Sequence, residues 1–166
     1  MFQSIGFIGT GHMGSALARA AAKGAAGVPV YLSNRSPEKA EKLAVELNAK
    51  LSDNRTVAQQ CQIIFLAVKP QYYASVIEEI RDTVGMGQIV VTIAPGKTLE
   101  WLASQFGKPL KIIRTMPNTP AMVKEGMMGM CPNEQVTAGD LETVRDICSG
   151  FGRTEIIAEH LMDVVT

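Results

Sequence analysis

The chain has 166 residues, of which 46% are hydrophobic and 19% charged, with sixteen basic side chains against sixteen acidic ones. That length suits one ordinary domain with a sizeable core, and the composition is globular rather than disordered. The balanced charge gives no field towards nucleic acid or an anionic membrane surface, and no apolar run approaches the ~20 residues of a membrane helix.

Met1-Phe2-Gln3-Ser4 runs straight into a strand-like segment, without the basic and apolar regions of a signal peptide. Ile5-Gly6-Phe7-Ile8 is the first short apolar run. Gly9-Thr10-Gly11-His12-Met13-Gly14 follows it directly and opens an alanine-rich stretch, Met13 to Lys23, that reads as a helix. Val28 to Leu32 is the second strand. Behind Ser36 as N-cap and Pro37 at the first helical position, Ala40, Leu43, Ala44 and Leu47 mark a helical stripe. Ile63 to Val68 is the third long apolar run. After Pro70, Tyr73, Val76, Ile77, Ile80 and Val84 form a second stripe. Ile89 to Ile93 and the shorter Lys111 to Ile113 are further strands.

The segment from Pro117 to Pro132 breaks the alternation, and Gly126 to Cys131 reads as an extra strand whose methionines fill core gaps. Leu141, Val144, Ile147 and Cys148 make a third stripe, closed by Gly150. Residues 154–166 read as a strand followed by an apolar helical start, with Leu161, Val164 and Val165 unpartnered. Continuous apolar runs suit strands buried on both faces. The class expected is α/β: a doubly wound, mostly parallel Rossmann sheet with one or two extra antiparallel strands near the C-terminus. Residues 1–155 would form the dinucleotide-binding domain, and 156–166 the start of a connection. Cys61, Cys131 and Cys148 form no CxxC pair and lie at no metal-ligand spacing from a His; they read as small buried hydrophobes in a reducing compartment.

GxGxxG alone is a weak signal, but here it sits between a strand and a helix inside a βαβ unit. Gly9 would permit the tight turn, Gly11 the close approach of a pyrophosphate, and Gly14 the packing of helix on strand. The helix N-terminus then receives the phosphates. An NAD site places a carboxylate about 20 residues on. The tract here is Ser33-Asn34-Arg35-Ser36, in which Arg35 can pair with a 2′-phosphate and the others can hydrogen-bond it. NADP(H) is therefore expected, with NAD(H) the alternative. His12 reads as a side chain lining the nucleotide pocket.

Ile8 to Gly14, Ala67-Val68-Lys69-Pro70-Gln71, and Arg114-Thr115-Met116-Pro117-Asn118-Thr119-Pro120-Ala121 followed by Glu125-Gly126-Met127 together resemble pyrroline-5-carboxylate reductase, in order and spacing along the whole chain. The resemblance implies NADPH-dependent reduction of 1-pyrroline-5-carboxylate to proline, the last step of proline synthesis. It implies that Ile8 to Met13 hold the pyrophosphate, Asn54 touches the adenosine ribose, Ala67 to Pro70 line the nicotinamide side, and Asn118 shapes the floor near the nicotinamide. It also implies a homodimer or larger assembly, made through a helical C-terminal domain that would follow this sequence; the cytoplasm is expected from the lack of a signal peptide and of a membrane-length apolar run. One departure is Ala94-Pro95-Gly96, where the family has a small Ala-Ala-Gly turn.

Hydride transfer to an imine asks little of the protein beyond positioning the cofactor. No Ser-His-Asp set, carboxylate pair or metal cluster is read, and no catalytic residue is assigned; Lys69 reads equally well as an ordinary loop lysine. The expectation for the 166 residues alone is binding without efficient turnover. Two other readings stay open: the cofactor domain of a hydroxyacid or deazaflavin-linked reductase, against which the Met116 to Pro120 run speaks, and a non-catalytic nucleotide-binding module.

Overall fold

The computed structural model describes residues 4–117 and 126–164. Eight strands form one sheet in the order β3-β2-β1-β4-β5-β6-β7-β8. They are β1 (Ile5–Ile8), β2 (Val30–Ser33), β3 (Lys50–Leu51), β4 (Ile63–Leu66), β5 (Ile89–Thr92), β6 (Lys111–Pro117), β7 (Gly126–Pro132) and β8 (Gly152–Ile156). β1 to β6 are mutually parallel; β7 runs antiparallel to β6, and β8 runs parallel to β7. The Rossmann expectation holds, and the extra strands near the C-terminus number two.

β1, β4 and β5 are buried along their whole length, because helices cover both faces. On one face α1 (His12–Gly24), α2 (Pro37–Leu47) and α6 (Ala138–Cys148) pack with Phe7, Leu17, Leu43, Phe65, Val144 and Ile147. Phe7 and Phe65 stack on neighbouring strands with ring centroids 4.6 Å apart. On the other face α3 (Asn54–Gln60), α4 (Tyr73–Ile80) and α5 (Leu99–Phe106) pack with Val57, Ile64, Tyr73, Ile77, Leu102 and Phe106. Among the described residues no helix is long and apolar enough to cross a membrane.

Cys61, Cys131 and Cys148 are free thiols. Burial pushes those of Cys61 and Cys148 up to about 12, while Cys131 is only half-buried.

Within the stretch expected to begin a connection, residues 159–164 pack against β6 and β7. A 3-10 turn, Glu159–Val164, puts Met162 fully inside and leaves Leu161 44% exposed. Glu159 accepts a hydrogen bond from the backbone N–H of Leu99 at 2.6 Å and pairs at 3.2 Å with Arg114, whose side chain is almost completely buried in β6.

Candidate dinucleotide site

The order of the strands reverses between β1 and β4, so the connections from these two strands leave in opposite directions and open a crevice at their carboxyl ends. The glycine loop lies there. Gly9 sits at φ +102°, in the left-handed region, and an added Cβ would meet the backbone of Ala67 and Val68 at 2.7–2.8 Å. A Cβ on Gly14 would strike the Gly9 carbonyl oxygen and come within 3.1 Å of the Ala67 Cβ. A Cβ on Gly11 would meet nothing within 4 Å. Two glycines thus close the loop against the protein, and the third leaves open the approach to the first turn of α1. Gly11 is its N-cap and puts no side chain over the amides that lack intrahelical partners.

A cleft of about 890 Å³ runs from this loop along the ends of β2 and β4. Of the residues expected at the site, Ile8, Gly9, Thr10, Gly11, Ser33, Asn34, Arg35, Ser36, Asn54, Ala67, Val68 and Lys69 line it together. Gly14 is buried beneath it, and Pro70 lies beside it at the start of a 3-10 turn, Pro70–Tyr72. His12 is exposed on α1 and is not among the lining residues, unlike the pocket-lining side chain expected. Met13 packs its side chain against the core, so only its backbone is available. Asn118, and with it the Asn-Thr-Pro end of the signature run, lies outside the described residues.

The polar groups divide into two sets. The first is committed to the protein. Ser33 Oγ donates to Asn54 Oδ1 at 2.5 Å. Asn34 Oδ1 accepts from the Thr10 N–H at 3.1 Å, while its Nδ2 donates to the Ser36 carbonyl at 2.9 Å. Asn34 therefore fastens the end of β2 to the glycine loop, with one of its two Nδ2 hydrogens and its Oδ1 engaged by the protein. The second set is uncommitted. Ser36 is the N-cap of α2 by position, yet its hydroxyl makes no capping bond. Arg35, Lys39 and Lys69 form no ion pair among the described residues. The Arg35 guanidinium lies over the Tyr72 ring, 5.1 Å from its centroid. Among the described residues Thr10 Oγ1 is buried with no hydrogen-bond partner, the kind of orphan that a ligand group can satisfy.

Sequence reasoning missed Pro37, Lys39, Ser52, Asp53, Tyr72, Ser75, Val76 and Glu79 in the lining. Asp53 is the most instructive. It is a carboxylate in the cleft, but it follows β3 rather than β2, and it caps α3 by accepting from the Thr56 N–H at 2.7 Å. That bond, helped by nearby Arg55, holds its carboxyl below the ordinary range. A short polar residue ahead of Asn-Arg-Thr was the available signal.

Deeper in, the buried Tyr73 hydroxyl donates to the Leu66 carbonyl and accepts from the Ile93 N–H at 3.2 Å, joining the carboxyl ends of β4 and β5. The neighbouring Pro95-Gly96 turn puts Gly96 at φ +75°, the Pro-Gly pattern of a type II turn.

Comparison with known proteins fits this architecture. Residues 4–96 match the family model described as NADP oxidoreductase, coenzyme F420-dependent. Pyrroline-5-carboxylate reductase of Escherichia coli is 39% identical over 168 residues, covering 99% of this chain and 62% of that protein. The solved structure of the Coxiella burnetii pyrroline-5-carboxylate reductase superposes with a TM-score of 0.87 at 28% identity, covering 93% of this chain and 58% of that one. The Plasmodium falciparum enzyme, solved with NADP bound, superposes with a TM-score of 0.86 at 32% identity, covering 99% and 61%. The chain thus spans roughly three fifths of the length of these relatives. The chain belongs to the family of coenzyme F420-dependent NADP oxidoreductases, and along nearly its whole length it is similar to pyrroline-5-carboxylate reductases.

Proposed function

We propose that this chain is the NADPH-binding part of a pyrroline-5-carboxylate reductase, an enzyme that reduces 1-pyrroline-5-carboxylate to proline in the cytoplasm. The observation that carries the reading is the phosphate cradle with cations that form no ion pair among the described residues. Gly11 leaves the α1 amides open, and Arg35, Lys39 and Ser36 gather uncommitted at the end of β2, where no carboxylate is placed to receive a ribose hydroxyl. The names of the relatives supply the substrate.

In this reading Ile8 to Met13 hold the pyrophosphate, chiefly through backbone N–H groups. Arg35 and Ser36, with Lys39, take the 2′-phosphate. Ser33 and Asn34 brace the loop, and Asn54 faces the ribose. Ala67 to Pro70 line the nicotinamide side, with Tyr73 fixing the strand ends behind them, and Asn118 completes the floor. The bound cofactor supplies the hydride. The chain's own work is to hold the dinucleotide and fix its orientation. Residues 1–155 act as the cofactor domain and 156–166 lead towards the substrate-binding, dimerising part of the whole protein.

The test is a titration of the 166-residue chain with NADPH and NADH, following nicotinamide fluorescence, in the wild type and in Arg35→Ala. Preferred binding of NADPH, weakened in the variant, is expected. Equal affinities would remove the assignment of the 2′-phosphate to Arg35, and no binding of either would remove the cofactor reading.

A second reading follows from the family match itself, to coenzyme F420-dependent NADP oxidoreductases. That match covers only residues 4–96, the half that any NADP-linked reductase of this fold would share. Oxidation of NADPH by a deazaflavin but not by 1-pyrroline-5-carboxylate, measured on the whole protein, would favour it.

A further inference from the structure

Arg35 stands on the exposed shoulder between β2 and α2, where a long flexible side chain would ordinarily sample many positions. It has no carboxylate partner among the described residues. What it has instead is Tyr72, which reaches across the cleft from the 3-10 turn after β4 and places its ring 5.1 Å from the guanidinium carbon. Tyr72 is exposed, at 38%, and both residues line the cleft. The next residue, Tyr73, is fully buried and bonded to the ends of β4 and β5, so the turn that carries Tyr72 is anchored to the sheet.

We propose that Tyr72 is a positioning residue for cofactor selectivity: its ring holds the Arg35 guanidinium at the mouth of the cleft, in place to meet the 2′-phosphate of NADPH. This rests on the cofactor reading above and adds a determinant for it. An aromatic ring does this without neutralising the cation, as a carboxylate would, so Arg35 keeps its full charge for the incoming phosphate. The benefit falls on the nucleotide that carries the phosphate. NADH, which presents a hydroxyl there, makes little use of a pre-placed guanidinium.

The experiment is a double-mutant cycle on the 166-residue chain. NADPH and NADH affinities are measured by nicotinamide fluorescence for the wild type, Tyr72→Leu, Tyr72→Phe, Arg35→Ala and Tyr72→Leu/Arg35→Ala, with folding checked by circular dichroism. Tyr72→Leu is expected to weaken NADPH by about two- to fivefold, the range of an exposed cation–π pair, with NADH unchanged. Tyr72→Phe keeps the ring and should restore the wild-type ratio. In the Arg35→Ala background, Tyr72→Leu should do nothing further. An equal loss for both nucleotides would overturn the proposal, because Tyr72 would then be stacking on the common adenosine. An unchanged or tighter NADPH affinity in Tyr72→Leu would overturn it too. Failure of the wild type to bind either nucleotide is a separate result: it removes the cofactor reading, and this inference with it, before any variant is compared.

Discussion

Where β1 meets β4, the structure is held by backbone atoms in close approach; at the β6–β8 edge of the same sheet, it is held by individual side chains. Around the glycine loop the critical contacts are to the Gly9 carbonyl and to the backbone of Ala67 and Val68, and no side chain could replace the missing Cβ atoms. At the far edge Arg114 pairs with Glu159, Thr115 Oγ1 donates to the Thr92 carbonyl at 2.7 Å, and Arg145 Nε donates to Thr154 at 3.0 Å. The difference teaches where tolerance lies. A backbone contact fails as soon as an atom is added, whereas a side-chain contact can be weakened in steps.

The largest effect should come from Gly14→Ala. The new methyl meets a backbone oxygen that cannot rotate away, so α1 must shift from β1; a loss of about 3 kcal/mol in urea unfolding is expected, at the upper end of overpacking costs. Gly11→Ala sharpens the contrast. Its methyl meets nothing within 4 Å, so stability should change by no more than about 1 kcal/mol. Nucleotide affinity should nevertheless fall at least tenfold, because in the proposed site the methyl would stand where the pyrophosphate comes closest. A Gly11→Ala chain that binds NADPH as tightly as the wild type would break the close-approach account of the loop.

Glu159→Ala tests the other region. It removes the acceptor for the Leu99 N–H and a carboxylate facing the buried Arg114. Because Glu159 is itself a third exposed, the expected cost is about 2 kcal/mol, below that of breaking a fully buried pair. Glu159→Gln, which still accepts from Leu99, should lose about half as much. Faster amide exchange should be confined to Leu99 at the start of α5, β6, β7 and the Glu159–Val164 turn, with NADPH affinity unchanged. Faster exchange in β1 and β4 instead would show that the two regions are one cooperative unit.

The same contrast governs what the sequence reveals. β1, β4 and β5 are legible because burial on both faces makes them unbroken apolar runs, and the glycine loop because its constraints are written as glycines. β6 extends four residues past Ile113, but Arg114 and Thr115 interrupt its apolar pattern; both are buried only because partners elsewhere receive them. α3 escapes notice because seven residues with two inward positions, Val57 and Ala58, show no helical period. α5 is only one residue longer, though Thr98, accepting from the Trp101 N–H, and Gly107, at φ +71°, mark its two ends. In the cleft, Arg35 and the loop follow from motif spacing. Tyr72, Ser75, Val76 and Glu79 do not, because only the packing of α4 and of the turn before it beside the switch point brings them there.

The smallest predicted effect concerns the start of α6, whose capping box also supports the β6 edge. The Thr137 hydroxyl accepts from the Asp140 N–H at 3.1 Å, and Asp140 accepts from the Thr137 N–H at 3.0 Å while pairing with Lys111 at 2.9 Å. Burial pushes the Asp140 carboxyl up, but the bond from Thr137 and the ammonium of Lys111 together outweigh it and hold the carboxyl below its ordinary value. A carboxyl lowered by folding stabilises the protein above its unfolded pKa, and that contribution disappears as pH falls through the lower folded pKa. Asp140→Asn keeps the reciprocal hydrogen bond and removes the charge. It should therefore cost about 0.5–1 kcal/mol at neutral pH, the usual worth of a charge at a helix start with one partly exposed ion pair. The gap between wild type and variant should then close below about pH 4, where the wild-type carboxyl takes up its proton. Urea unfolding of both proteins from neutral pH to about pH 3 measures it. A gap that stays constant over that range would mean that the shape of the capping box, and not its charge, secures α6 to the edge of the sheet.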